Sequence, residues 1–278
     1  MKRIYYIVFI LISGLFFVPS CNNGDHMQAT KTYQKIIDSI PAQQWEKLSR
    51  QKIYFGHQSV GYNIMDGVAD IMADNAAINF NIKETSDLSD FDQPVFAHSR
   101  NGENRDWQSK IDGFHDKINS GLGKKADIAF FKLCYVDITG ETDAQKLFES
   151  YRQTMKQLEK EFPDTVFLHT TAPLKTTKTS WKIWIKKLIG KEHIWEYADN
   201  IKRNEFNDLI RQEYGDSRRL FDIARAESTY LDGNRETFEK DGERYEALVP
   251  IFTNDGGHLN EMGRKVVAAH MLRVIADI

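Results

Sequence analysis

Residues 126–135, Ala-Asp-Ile-Ala-Phe-Phe-Lys-Leu-Cys-Tyr, form the most apolar strand-like stretch of the folded part of the chain. A near-continuous run of this kind suits a strand covered on both faces, at the centre of a parallel sheet. Parallel neighbours need crossover connections, so helices should alternate with strands. Lys52-Ile53-Tyr54-Phe55 reads as a short buried strand ending at Gly56, and Val60, Ile64, Val68 and Ile71 then recur at helical spacing. Residues 77–85 alternate as a second strand, and a polar loop through Arg105 leads to a helix carrying Ile111, Phe114 and Ile118. Helices over 143–161 and 200–214 and strands over 165–169 and 219–222 follow, and residues 260–277 close the chain as a helix capped by Asn260. Residues 31–49 read as a surface helix ahead of the first strand. The βαβαβα order predicts an α/β fold, a doubly wound parallel sheet in a three-layer α/β/α arrangement. Ligands of such sheets bind beyond the carboxyl ends of the strands.

The chain has 278 residues, 41% hydrophobic and 28% charged, with no low-complexity tract. Those values exclude a disordered chain, and residues 31–278 fill one domain. A formal net charge of −3 gives no attraction to phosphate polymers, so nucleic acid is not an expected partner. Lys2 and Arg3 precede the apolar run Ile4 to Val18, which ends at Pro19-Ser20-Cys21 and turns polar at Asn22, so residues 1–21 read as a secretory signal. Ser20-Cys21 resembles the lipobox of bacterial lipoproteins. That resemblance implies a lipid on Cys21, a short polar tether over 22–30, and a domain held to a membrane of the bacterial envelope, facing periplasm or exterior. A plain cleaved signal or an uncleaved anchor is the competing reading, and either exports the domain. Cys134 is the only other cysteine, so acylation of Cys21 leaves no internal disulfide.

Gly56-His57-Gln58-Ser59-Val60-Gly61 follows the first strand and opens a helix. A serine there projects its hydroxyl into the crevice, and the positive helix end favours a developing oxyanion. Serine is equally a favoured N-cap with no chemistry to do. Asn254-Asp255-Gly256-Gly257-His258-Leu259-Asn260 precedes the closing helix. There Asp255 would fix the tautomer of His258, whose other nitrogen would take the Ser59 proton. A glycine turn with a helix cap is the bland version of the same residues.

Together these segments resemble the SGNH/GDSL hydrolase superfamily over about residues 50–278, whose serine follows the first strand and whose D-x-x-H precedes the last helix. The resemblance implies a flavodoxin-like domain with Ser59 as nucleophile, Asp255 as orienting acid and His258 as general base. It also implies an oxyanion hole built from Ser59 and Gly102, the glycine of Ser99-Arg100-Asn101-Gly102, with Asn101 beside it. The activity implied is hydrolysis of acyl esters, acetyl esters foremost, on carbohydrate or envelope substrates, with no cofactor. Two blocks depart from the family. Gly56-His57-Gln58-Ser59 stands for G-D-S, and Cys134-Tyr135-Val136-Asp137 places valine where G-x-N-D has its oxyanion asparagine. Asn101 or Asn104 is the candidate replacement donor.

His57, Arg100, Tyr135, Asp137 and Thr171 stand near strand ends and are candidate substrate contacts; His57 and Thr171 also have structural readings. Lys132 interrupts the buried run, as an ion-pair partner or as a crevice residue. Between 175 and 200, Trp181, Trp184, Ile185 and Leu188 among five lysines predict a basic amphipathic helix that lies on a membrane, covers the site, or packs on the domain. No ligand-spaced pair of histidines or cysteines suggests a metal. Two rival functions stay open: a non-catalytic surface lipoprotein that binds a glycan or other ligand, favoured by Val136, and acyl transfer to a sugar hydroxyl.

Overall fold

The computed structural model describes residues 23–177 and 194–278. Strands β1 (Lys52–His57), β2 (Ile82–Glu84), β3 (Val95–Arg100), β4 (Ile128–Phe131) and β5 (Val166–Phe167) form one sheet in the order β2-β3-β1-β4-β5. Every pairing is parallel. One residue past β5 the chain resumes as β6 (His169–Thr170), which pairs in parallel with β7 (Leu220–Phe221) and carries the layer one strand further.

Successive residues of a strand face opposite sides, and the two central strands show it. Ile53, Phe55, Ile128 and Phe130 enter one core, with α1 (Asn23–Asp38), α2 (Ala42–Leu48), α3 (Val60–Asp74) and α8 (Glu261–Ala276). Tyr54, Ala129 and Phe131 enter the other, with α4 (Trp107–Asn119), α5 (Ala144–Glu161) and α6 (Ile194–Tyr214). This is the expected three-layer α/β/α fold. The short helix α7 (Ile223–Glu227) leads to an antiparallel hairpin, β8 (Thr237–Lys240) and β9 (Glu243–Glu246). Asp241 and Gly242 turn it at φ 53° and 85°, the positive pair that a two-residue hairpin turn requires.

Several boundaries differ from the sequence reading. β3 lies inside the stretch read as a polar loop, and it pairs with β1 along its whole length. Its apolar part is only Val95-Phe96-Ala97, while His98 and Ser99 find partners in His57 and Tyr54. Only residues 82–84 of the second expected strand pair. A break at Pro41 splits the expected first helix, since proline suits the start of a new helix and not the interior of one. The same helix starts at Asn23 and buries Ala29, within the stretch expected to be a tether. The expected signal, Cys21 and the expected amphipathic helix with Trp181 and Trp184 lie outside the described residues.

Two buried lysines hold the crossover loops beneath the crevice. Lys132 is fully buried, and its ammonium donates to the Leu133 carbonyl at 3.2 Å and contacts Cys134 Sγ at 3.5 Å. Burial pushes the carboxyl of Glu227 up to about 8, with the Leu174 N–H, Lys132 and Arg203 opposing it. Lys132 is therefore an interior charge with interior partners. Lys110, also fully buried, lies 3.7 Å from Asp137 and donates to Asn104 Oδ1 at 3.2 Å. Removing one member of such a pair strands the other. Lys110→Met is expected to cost about 3 kcal/mol of stability, read as a lowered urea midpoint with an unchanged slope.

Candidate active site

The crevice lies beyond the carboxyl ends of β1, β3 and β4, where three loops meet the one before α8. Ser59 stands between β1 and α3 in the position of an N-cap, but its geometry is not that of a cap. Its φ of 53° lies in the left-handed region, and its hydroxyl makes no hydrogen bond to the helix. A non-glycine residue in that region is strained, and such strain gathers where side chains are aimed for use. The Oγ instead lies 2.6 Å from His258 Nε2. The other imidazole nitrogen, Nδ1, lies 2.6 Å from Asp255 Oδ2.

Asp255 does more than face the imidazole. Its Oδ1 accepts the backbone N–H groups of Gly257 at 2.9 Å and His258 at 2.8 Å, so the carboxylate winds the loop that presents the histidine. Desolvation raises this carboxyl, but the imidazole and the two N–H donors outweigh it and hold it at about 2. Asn63, one turn into α3 from Ser59, accepts the Leu259 N–H at 3.2 Å and ties helix and loop together. Gly256 takes φ 93°, and its carbonyl accepts from the Thr176 N–H at 3.0 Å. Serine, histidine and aspartate, 199 and 3 residues apart in sequence, thus form one hydrogen-bonded chain.

Gln58, the residue before the serine, turns inward. Its amide donates to the carbonyls of Asn101, at 3.2 Å, and Gly102, clamping the loop after β3 against the serine turn. Gly102 has φ 59°, and a Cβ there would come within 2.6 Å of the Lys110 backbone. Only glycine fits both demands. The N–H groups of Ser59 and Gly102 donate to no other backbone group among the described residues.

Several sequence expectations are corrected here. Asn101 is fully buried; its side chain donates to the Lys110 carbonyl at 2.8 Å and its backbone N–H to the His57 carbonyl at 3.1 Å, so its donors anchor a loop. His57 is also fully buried, beneath the first turn of α3, where a Cβ on Gly61 would lie 2.4 Å from its own. Its Nε2 pairs with His98 Nδ1 at 3.0 Å, and burial, with Lys132 nearby, lowers the imidazole to about 2. It stays neutral, with no exposed surface to offer a substrate. Asp137 accepts the N–H groups of Cys134 at 2.6 Å and Arg105 at 2.8 Å, and Thr171 bonds Asp222 at 3.0 Å and the Ala224 N–H at 2.9 Å. Both are loop ties, buried, with no face to the crevice. Arg100 is exposed at the end of β3 and paired with Glu103 at 2.5 Å.

Tyr135 is the remaining candidate, and it does reach the site. Its hydroxyl lies 3.4 Å from His258 Nε2 and 3.5 Å from Nδ1.

No family model matches the chain, and no curated protein does. Solved structures do. One is a protein from Streptococcus pneumonia provisionally named a platelet activating factor, at 11% identity and TM-score 0.47, covering 90% of this chain and 91% of its own. Another, from Desulfitobacterium hafniense DCB-2, is provisionally named a lipolytic protein of the G-D-S-L family, at 12% identity and TM-score 0.40, covering 81% and 99%. A third is the periplasmic domain of a lipopolysaccharide acetyltransferase from Salmonella ser. Paratyphi A, at 11% identity and TM-score 0.45, covering 89% and 95%. At these identities the likeness is one of chain path, and the functional argument stands on the residues of this chain.

Gln58, Asn63 and the contact between Tyr135 and His258 are the features that sequence reading did not assign. Asn63 had a signal, four positions after Ser59 on one helix face. The Tyr135 contact had none, since 123 residues separate it from His258.

Proposed function

We propose that the protein is a serine hydrolase of acyl esters, with Ser59 as nucleophile, His258 as general base and acid, and Asp255 as the group that orients and charges the imidazole. The observation that carries this reading is the strained Ser59 whose hydroxyl forgoes the helix cap and meets an imidazole backed by a carboxylate. A cap needs neither the strain nor the histidine, and a binding crevice needs no such proton relay.

The steps follow from the positions. Ser59 Oγ adds to the ester carbonyl carbon as its proton passes to His258 Nε2, and the carbonyl oxygen becomes an oxyanion. The backbone N–H groups of Ser59 and Gly102 are the candidate donors to that oxygen. Collapse breaks the bond to the alcohol, which leaves with the proton from Nε2, and the acyl group remains on Ser59. Water then repeats the sequence through the same imidazole, releasing the acid and restoring the serine.

In this reading the substrates are acetyl esters of carbohydrate or other envelope material, as the sequence resemblance implies, and the enzyme is tethered through a lipid on Cys21. No helix among the described residues is long and apolar enough to cross a membrane. The test is turnover of a chromogenic acetyl ester by the purified protein, with product analysis in the presence of a sugar acceptor. Free acetate supports hydrolysis, an acetylated acceptor redirects the reading to acyl transfer, and absence of turnover across acyl esters contradicts both.

A further inference from the structure

Among the described residues, the acyl-ester reading leaves one position of the site unfilled. Valine at position 136 cannot donate a hydrogen bond; of the two asparagines expected to replace it, Asn101 is committed to the Lys110 carbonyl, and Asn104 is exposed, with its Oδ1 held by the Lys110 ammonium at 3.2 Å. The residue beside Val136 on the same short turn is Tyr135, and its hydroxyl is a side-chain donor that reaches the reacting centre. It stands 3.4 Å from the nitrogen that itself lies 2.6 Å from Ser59 Oγ.

The surroundings hold the tyrosine in that place. Arg203, only 1% exposed, donates through Nε to the Tyr135 carbonyl at 2.8 Å and through a terminal nitrogen to Asn200 at 2.7 Å, and its guanidinium carbon lies 5.9 Å from the ring centre. The hydroxyl end of the ring lies against Gly257. A Cβ on Gly257 would lie 2.8 Å from Tyr135 Cζ and 3.0 Å from its hydroxyl oxygen. The second glycine of Asp255-Gly256-Gly257-His258 therefore makes room for the phenol. The phenol also stays protonated: desolvation and the nearby Asp255 carboxylate raise it, more than Ser59 and Arg203 lower it. A protonated hydroxyl on a packed ring is a preorganised donor, which costs no reorganisation when charge develops.

We infer that Tyr135 is a catalytic residue, the third oxyanion donor, taking over from its neighbour position the task that an asparagine performs in the related hydrolases. This inference rests on the acyl-ester reading. When Ser59 Oγ bonds to the carbonyl carbon, the π electron pair moves to oxygen, and the Tyr135 O–H donates to that oxygen without giving up its proton. As the oxyanion collapses, the pair returns to the C–O bond and the hydrogen bond weakens.

The rival role for the same contact is positioning, with the hydroxyl acting on His258 and not on substrate. Steady-state kinetics of a chromogenic acetyl ester from pH 5 to 9, on the full chain and its Tyr135→Phe and Ser59→Ala variants, separate the cases. The expected result is a fall in kcat of about 10²-fold or more for Tyr135→Phe, with the imidazole limb of the pH profile unmoved and the thermal midpoint kept. Turnover within about threefold of the parent, or a displaced imidazole limb with the plateau intact, overturns the donor role. If Ser59→Ala is inactive in that same experiment, the hydrolase reading survives either result. If Ser59→Ala retains the parent's turnover, the hydrolase reading and the inference fall together.

Discussion

Ser59→Ala is expected to lower kcat for an acetyl ester by roughly 10⁶-fold while leaving the protein as stable as before. The loss is large because nothing nearby can take over the covalent step: the one cysteine among the described residues, Cys134, is fully buried and points at the Gln58 carbonyl. Stability is spared for a local reason. Replacing a serine that caps a helix costs about 1 kcal/mol, but the Ser59 hydroxyl caps nothing, and alanine meets the left-handed backbone with the same Cβ. Turnover and thermal unfolding measured on one preparation check both halves. A variant that loses activity together with several degrees of midpoint would assign Ser59 to the helix and not to the chemistry.

The second large effect is expected at Asp255→Asn, about 10⁴-fold in kcat. The amide oxygen can keep the two backbone hydrogen bonds that wind the loop, so the fold survives. Its NH2 group, however, then faces His258 Nδ1, which favours the tautomer carrying hydrogen on Nε2. That nitrogen can no longer accept the Ser59 proton. Because the Asp255 carboxyl is held at about 2, it is ionised throughout the neutral range, and the ratio of parent to variant turnover should be flat on the plateau above the imidazole limb of both enzymes. An Asp255→Asn turnover within about tenfold of the parent on that plateau would contradict the role assigned to the carboxylate.

What was legible in the sequence follows from locality. β1 and β4 announce themselves because both faces are buried and nearly every residue is apolar, as Tyr54-Phe55 and Phe130-Phe131 show. β3 does not, because His98 and Ser99 are satisfied by β1 residues more than 40 positions away, and their polarity reads as loop. The same distinction runs through the site. Asp255 and His258 are three residues apart, so their pairing is written in the spacing of a single loop. Asn101 and Asp137 are polar residues beside the crevice in sequence, and proximity made them candidates. The Asn101 amide N–H is taken by the Lys110 carbonyl and the Asp137 carboxylate by the N–H groups of Cys134 and Arg105, contacts that only the folded chain creates. Tyr135 shows the converse, an aromatic among strand residues whose hydroxyl meets a histidine from the far end of the chain.

The central claim is that Ser59 is a nucleophile activated by His258. Intact-protein and peptide mass spectrometry after brief exposure to a fluorophosphonate ester tests it most directly, since such reagents phosphonylate activated serines and leave ordinary hydroxyls alone. The account predicts a single adduct on the peptide bearing Ser59, absent from Ser59→Ala and strongly slowed in His258→Ala. An unmodified parent, or an adduct that persists in Ser59→Ala, would contradict it.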